Sequence, residues 1–219
     1  RDSYTTGDNN WFYADSHGRN VTGAQIINGQ HLYFDANGRQ VKGGFVMNTD
    51  GSRSFYHWNT GDKLVSTFFT TGHDRWYYAD DRGNVVTGAQ VINGQKLFFD
   101  TDGKQVKGAF ATNANGSRSY YHWNTGNKLV STFFTSGDNN WYYADAKGEV
   151  VVGEQTINGQ HLYFDQTGKQ VKGATATNPD GSISYYDVHT GEKAINRWVK
   201  IPSGQWVYFN AQGKGYVSN

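Results

Sequence analysis

The sequence predicts an all-β chain: a β-solenoid of stacked β-hairpins, with about three hairpins in every 65-residue block. Three observations carry this. Trp11, Trp76, Trp141 and Trp206 recur at 65-residue intervals. Tyr13, Phe34, Tyr56, Tyr78, Phe99, Tyr121, Tyr143, Phe164, Tyr186 and Tyr208 step by 21 or 22 residues inside those intervals. No long stretch shows the i, i+3, i+4, i+7 apolar spacing of a helix, and no capping box leads into one.

The long period is a true repeat. AQIINGQHLYFDANGRQVKG at 24–43 returns as AQVINGQKLFFDTDGKQVKG at 89–108 and as EQTINGQHLYFDQTGKQVKG at 154–173. Periods of this kind mark arrays of one supersecondary unit. The blocks run 1–65, 66–130 and 131–195, with a partial fourth at 196–219, and together form one module that reads as a fragment of a larger enzyme.

Each short period holds an aromatic strand, a Gly-containing turn and a second strand, which makes ten hairpins. Asn37-Gly38, Asp102-Gly103 and Thr167-Gly168, like His17-Gly18, Arg82-Gly83 and Lys147-Gly148, are placed as two-residue turns. That register puts Leu32, Phe34 and Val41 on one face, with Tyr33, Asp35, Gln40 and Lys42 on the other. In the first hairpin Phe12, Ala14 and Val21 share the inner face, and Trp11, Tyr13, Asp15, Asn20 and Thr22 the outer one. A lone hairpin is marginal in water, so units this short must stack on their neighbours.

Composition fits a thin core. Hydrophobic residues are 36 %, aromatics 16 %, and 28 Gly stand against 2 Pro. Large flat rings rather than aliphatic side chains must supply the buried area. Lys plus Arg number 20 against 19 Asp plus Glu, with no basic stripe, so no nucleic-acid partner is expected. No apolar run approaches the length of a bilayer span, so no membrane insertion is expected. Cysteine is absent, which removes disulfides and thiolate metal sites.

The recurring NWYYAD…G…V.TG.Q.INGQ.LYFD..G.QVKG unit resembles the glucan-binding repeats of glucansucrases, enzymes of glycoside hydrolase family 70 from lactic acid bacteria. Looser aromatic-glycine repeats occur in choline-binding cell-wall modules and clostridial toxin C-termini. The resemblance implies the repeat region called domain V, secretion from a Gram-positive bacterium to the extracellular space or cell wall, and binding of α-glucan, chiefly α-1,6-linked dextran. It also implies a role in holding polymer near a separate catalytic domain. The partners it implies are α-glucan and isomalto-oligosaccharides, bound by a monomer.

A neutral sugar needs an aromatic platform for its C–H face and amide, hydroxyl or ammonium groups for its rim. The outer faces offer Tyr13 and Thr22 on one hairpin with Gln40 and Lys42 on the next, and the pockets of the family are similar, with a stacking Tyr, a Gln-x-Lys pair and a Thr. The set recurs as Tyr78, Thr87, Gln105 and Lys107. The third block keeps Tyr143, Gln170 and Lys172 but has Val152 in place of Thr, and a weaker pocket is expected there. His31, Lys96 and His161 are expected beside the same groove.

Other chemistry is not expected. Asp15, Asp35, Asp80, Asp100, Asp145 and Asp165 are copied in every block, whereas a catalytic pair would be unique; Asx-type turn bonds account for them. No G-x-S-x-G elbow occurs. His57 and His122, replaced by Asp187, lack zinc spacing and read as structural. No cofactor, metal or catalytic residue is assigned. Trp58 and Trp123 point outward and could be sugar platforms, but packing between hairpins is placed first because Val188 takes the third position. Two sequons, at Asn20 and Asn115, are of the kind chance supplies. Two rivals stand beside glucan binding: a surface-attachment module for choline or a host glycan, and a passive spacer. Choline needs an aromatic cage, and a Lys in the pocket would repel it.

Overall fold

The computed structural model describes residues 2–218. Among them the regular structure is strand only, in ten two-stranded antiparallel sheets. The hairpins pair Asp2–Thr5 with Trp11–Ala14, Gly23–Ile27 with Gln30–Phe34, Gly44–Met47 with Arg53–Tyr56, Thr67–Thr70 with Trp76–Ala79, and Gly88–Ile92 with Gln95–Phe99. They continue as Ala109–Thr112 with Arg118–Tyr121, Thr132–Thr135 with Trp141–Ala144, Gly153–Ile157 with Gln160–Phe164, Ala174–Thr177 with Ile183–Tyr186, and Arg197–Lys200 with Trp206–Phe209. The chain forms two compact units, five hairpins each, divided between Val106 and Lys107.

The number of hairpins agrees with the aromatic period, but the strand partners differ. Each aromatic strand forms its ladder with the strand before it, and the residues after its Gly turn add at most a single bridge. In the second, fifth and eighth hairpins the two-residue turns are Asn28-Gly29, Asn93-Gly94 and Asn158-Gly159. Asn28 and Gly29 hold φ of 52° and 80°. Two successive positive φ values make the type I′ turn, whose twist matches that of the strands.

The turns placed at Asn37-Gly38 and its equivalents are three-residue loops instead. Asp35 N donates to Arg39 O at 2.8 Å and Gly38 N to Asp35 O at 2.9 Å. Gly38 is at φ 82°, and Asn37 is not among the residues with positive φ. This is a type I turn closed by a left-handed glycine. The Asp carboxylates predicted to stabilise turns do so: Oδ1 of Asp15, Asp35, Asp80, Asp100, Asp145 and Asp165 each accepts two backbone N–H groups, from the second and fourth residues on, at 2.8–3.0 Å. Asn210 plays the same part in the tenth hairpin.

The extra loop residue shifts the following segment by one. Phe34 bridges Gln40, not Val41. The segment then leaves the hairpin and hooks onto the one before. Gln40 N donates to Trp11 O, Lys63 N to His31 O, Val85 N to Arg53 O and Gln105 N to Trp76 O, all at 2.7–2.8 Å. In the second unit Val150, Gln170 and Lys193 do the same to Arg118, Trp141 and His161 at 2.7–2.9 Å.

Hairpins stacked this way are covered on both faces. In the first unit Phe69, Tyr77, Ala79 and Val85 pack with Phe55, Phe45 and Leu64. The opposite face of the same hairpin sets Phe68 and Tyr78, with Val86, against Ile92, Leu97 and Phe99. The second unit repeats both clusters, around Tyr120 and Phe134 and around Ile157 and Phe164, and adds a third around Ile201 and Phe209. The expected inner position of Val21 and its equivalents is therefore corrected: Val86 lies with Tyr78, and Val85 takes the place beside Tyr77. The buried serine hydroxyls of the strands are satisfied. Ser54, Ser119 and Ser184, each at most 1 % exposed, receive the Asn48, Asn113 and Asn178 amides at 3.0 Å.

Two outcomes follow for stability. Asp100→Ala strands two loop N–H groups and should lower stability by about 1 kcal/mol, whereas Asp100→Asn should be near neutral because Asn210 already fills that role. Urea unfolding midpoints check both, and equal losses would contradict the capping account. In the second unit the Lys214 ammonium, 2.7 Å from Asp180, and the Ser182 hydroxyl hold the Asp180 carboxyl well below the usual range. A depressed carboxylate stabilises above its ordinary titration range, so this contribution should fade as pH falls below about 4. Asp180→Asn should flatten that acid slope in a circular dichroism titration; an unchanged slope would exclude the pair as its source.

Candidate ligand-binding surface

The hooks place the side chains singled out in the sequence. Gln40 N reaches Trp11 O, and two residues further on Lys42 lays its Nζ 5.1 Å from the centroid of the Trp11 ring. Tyr13, two residues from Trp11 on the same strand face, is half-buried, and its carbonyl accepts Val21 N at 3.0 Å. Thr22 follows, exposed. Gln40 behaves differently. Its Nε2 donates to Thr60 O at 3.3 Å, beneath the tail loop of the third hairpin. Gly61, at φ 73°, makes room, because a Cβ there would collide with the Gln40 amide. The ring nearest the ammonium is thus Trp11, and Gln40 holds the neighbouring loop.

The second set falls on both units, with Tyr78, Thr87 and Gln105 in the first and Lys107 in the second. Tyr78 stacks obliquely on Phe68, ring centroids 4.7 Å apart, within the core cluster of the fifth hairpin. Gln105 is buried, 8 % exposed, which the one-residue shift explains. In the third set Tyr143 packs on Phe133 at 4.7 Å in the equivalent cluster. Gln170 sits against Gly191 as Gln40 does against Gly61. Lys172 Nζ lies 5.7 Å from the Trp141 ring centroid, so the indole–ammonium pair is kept although Val152 replaces Thr.

The signal that residue-by-residue reasoning passed over is the tryptophans as a class. The chain has seven, and all seven are exposed, from 37 % for Trp76 to 72 % for Trp58 and Trp123. Phe and Tyr dominate the buried clusters instead. Trp58 and Trp123, expected to pack between hairpins, are the most exposed of them, and their rings stack on the adjacent His57 and His122 at 5.4 and 5.6 Å.

The histidines have a structural task. His57 Nδ1 accepts the N–H groups of Asn59 and Thr60 at 3.1 and 3.2 Å, and His122 does the same for Asn124 and Thr125. Asp187 Oδ1 accepts from His189 and Thr190 at 2.8 and 2.9 Å. Each supplies one acceptor to the same tight turn, which is why Asp can stand for His. Among the described residues no group of three His, Cys, Asp or Glu side chains is placed to hold a metal ion.

A model described as a choline-binding repeat matches residues 21–68, 86–133 and 151–198. The chain belongs to that family. A cell wall binding repeat model also matches 131–150 and 196–214. Among curated proteins, these choline-binding-type repeats are similar to Glucosyltransferase-S of Streptococcus mutans, 39 % identical over 93 % of the chain, and to Glucosyltransferase-I of the same species, 47 % identical over 83 %. Glucosyltransferase-I of Streptococcus downei is 35 % identical over 93 % of the chain. The chain spans only 14 %, 12 % and 16 % of those three proteins. The resemblance to glucansucrase repeats is therefore matched by relatives along nearly the whole sequence.

Two solved structures share the fold of this choline-binding repeat array. Choline binding protein F of Streptococcus pneumoniae superposes with a TM-score of 0.68 at 19 % identity, covering 95 % of this chain and 76 % of that one. The choline-binding domain of CbpL from the same species gives 0.65 at 20 % identity, covering 91 % and 99 %.

The shared acceptor role is directly testable. His57→Asp should keep the turn and the unfolding free energy within about 0.5 kcal/mol, while His57→Ala should cost about 1 kcal/mol, both read from thermal unfolding. If both variants lose the same stability, the imidazole does more than accept these two hydrogen bonds.

Proposed function

We propose that the chain is a non-catalytic carbohydrate-binding module that holds neutral α-glucan, chiefly α-1,6-linked dextran, outside the cell. The hairpins of each unit stack as a β-solenoid, and the module retains polymer near the separate catalytic domain of a longer glucansucrase. The observation that carries the reading is the exposure of every tryptophan, with a lysine ammonium over Trp11 and over Trp141. An exposed indole costs water contact and adds nothing to the core, so it is kept for a ligand with an apolar face. A hexose ring has such a face, and its hydroxyl rim accepts hydrogen bonds from an ammonium beside the indole. Lys42 lies over the first platform, and on this reading Tyr13 and Thr22 belong to the same site; Gln40 and Gln170 each pack against a neighbouring loop, at Gly61 and Gly191 respectively.

Choline is the ligand that the family description brings forward, and the same geometry weighs against it at these two platforms. A quaternary ammonium binds by occupying the indole face, where Lys42 and Lys172 already place a positive charge. A second reading, attachment to the cell wall, draws on the tenth hairpin. There Trp198 and Tyr208 meet edge to face at 5.6 Å and both are exposed.

Each platform contributes about 0.5–1.5 kcal/mol beyond its buried area, so single sites are weak and polymer affinity comes from several acting on one chain. In affinity electrophoresis through dextran-loaded gels the chain should be retarded. Trp11→Ala and Trp141→Ala should each weaken retention by about two- to tenfold, and the double variant by more than either. Full retention by the double variant, or no retardation of the parent chain, would overturn the reading.

A further inference from the structure

The second unit carries a groove whose lining includes His161 but none of the Tyr, Thr, Gln or Lys residues expected to bind glucan. Its volume is about 710 Å³, and it runs over the tail of the ninth hairpin from His161 to Arg197 and Gln212. A hollow of about 220 Å³, which shares His161 and Lys193, extends it toward Glu154 and Thr156. No Phe, Tyr or Trp lines either part.

Comparison between blocks singles the groove out. Duplication copies structural and functional residues alike, so departures from the repeat are the informative positions. Glu154 stands where the first two blocks have Ala24 and Ala89, and Thr156 where they have Ile26 and Val91. Asp187 replaces His57 and His122, Glu192 replaces Asp62 and Asn127, and Arg197 replaces Thr67 and Thr132. All five line this groove or its extension, and each new side chain is polar or charged.

The replacements are held in place. Lys193 N hooks onto His161 O at 2.9 Å, and Lys193 Nζ reaches Glu154 Oε1 at 3.3 Å. Asp187 is fixed by two N–H groups through Oδ1, which leaves Oδ2 facing Arg197 at 3.8 Å. The Thr190 and His189 N–H groups keep its carboxyl below the usual range, hence ionised at neutral pH. Acceptors (Glu154, Asp187, Glu192) and donors (Lys193, Arg197, Gln212) therefore face one hollow.

We infer that this groove is a second kind of saccharide site, one that takes one or two neutral hexose units edge-on by their hydroxyls. Every hydroxyl both donates and accepts, and a lining of mixed acceptors and donors satisfies both. An anionic ligand would meet three carboxylates, and a cationic one Lys193 and Arg197. The volume is that of a small-ligand site. The inference rests on the glucan-binding reading and adds a site that recognises hydroxyl pattern, where the indole platforms recognise a ring face.

The test is a titration of the isotope-labelled chain with isomaltotriose, followed by amide NMR. Saturable shifts are expected at Thr190, Glu192 and Arg197 and at the Gln212 side-chain amide, separate from those around Trp11 and Trp141. The variant Glu192→Ala/Gln212→Ala alters two exposed side chains; with its unfolding midpoint unchanged, it should weaken the groove at least tenfold and leave the Trp141 shifts intact. Shifts confined to the tryptophan platforms would overturn the groove and spare the glucan reading. An absence of shifts throughout would overturn both. Tighter binding of glucuronate or glucosamine than of isomaltotriose at the groove would overturn the neutral ligand.

Discussion

One kind of backbone hydrogen bond organises each unit of this molecule: the N–H that a hairpin's tail gives to a carbonyl at the start of the preceding hairpin's second strand within that unit, as Gln40 gives to Trp11. A two-stranded sheet of four or five residues per strand cannot bury enough surface to persist alone. The bond fixes one hairpin against the next at a set register. The aromatic clusters around Phe69 and Tyr77, and around Leu97 and Phe99, fill the space so defined. It also sets Lys42, two residues after the hook, over the ring of the residue that accepts it.

Most of the architecture was legible because repetition and turn chemistry report on backbone requirements. The ten hairpins followed from the aromatic spacing, and the turn-capping role of Asp35 and its copies from their recurrence. The strand partners are not legible because the second and fifth hairpins each offer two Asn-Gly or Asp-Gly pairs, and only one in each is a type I′ turn. Asn28 adopts positive φ. Asn37 does not, because the Asp35 carboxylate two residues earlier binds the loop into a three-residue form. The Asp-x-x-Gly spacing was the available clue. The single residue gained there turned Gln105 inward and moved Val86 beside Tyr78.

The site was legible in part for the same reason. The ammonium groups of Lys42 and Lys172 lie over Trp11 and Trp141, whereas the sequence reading groups them with Tyr13 and Tyr143. Tyr78 and Tyr143 belong to the packing between hairpins. Division of labour among rings was the missing principle. Phenylalanine and tyrosine fill the thin core, while tryptophan, with the broadest face and a polar N–H edge, is held outside it. Departures between blocks, invisible to a search for what repeats, mark the groove at His161 and Arg197.

Oxidation of the indoles by N-bromosuccinimide, with and without saturating dextran, addresses the central claim most directly. If exposed tryptophans are the surface on which polymer lies, dextran should protect Trp11 and Trp141 from the reagent, read residue by residue by mass spectrometry of peptides. Equal oxidation of both indoles in the free and dextran-saturated chain would contradict the account.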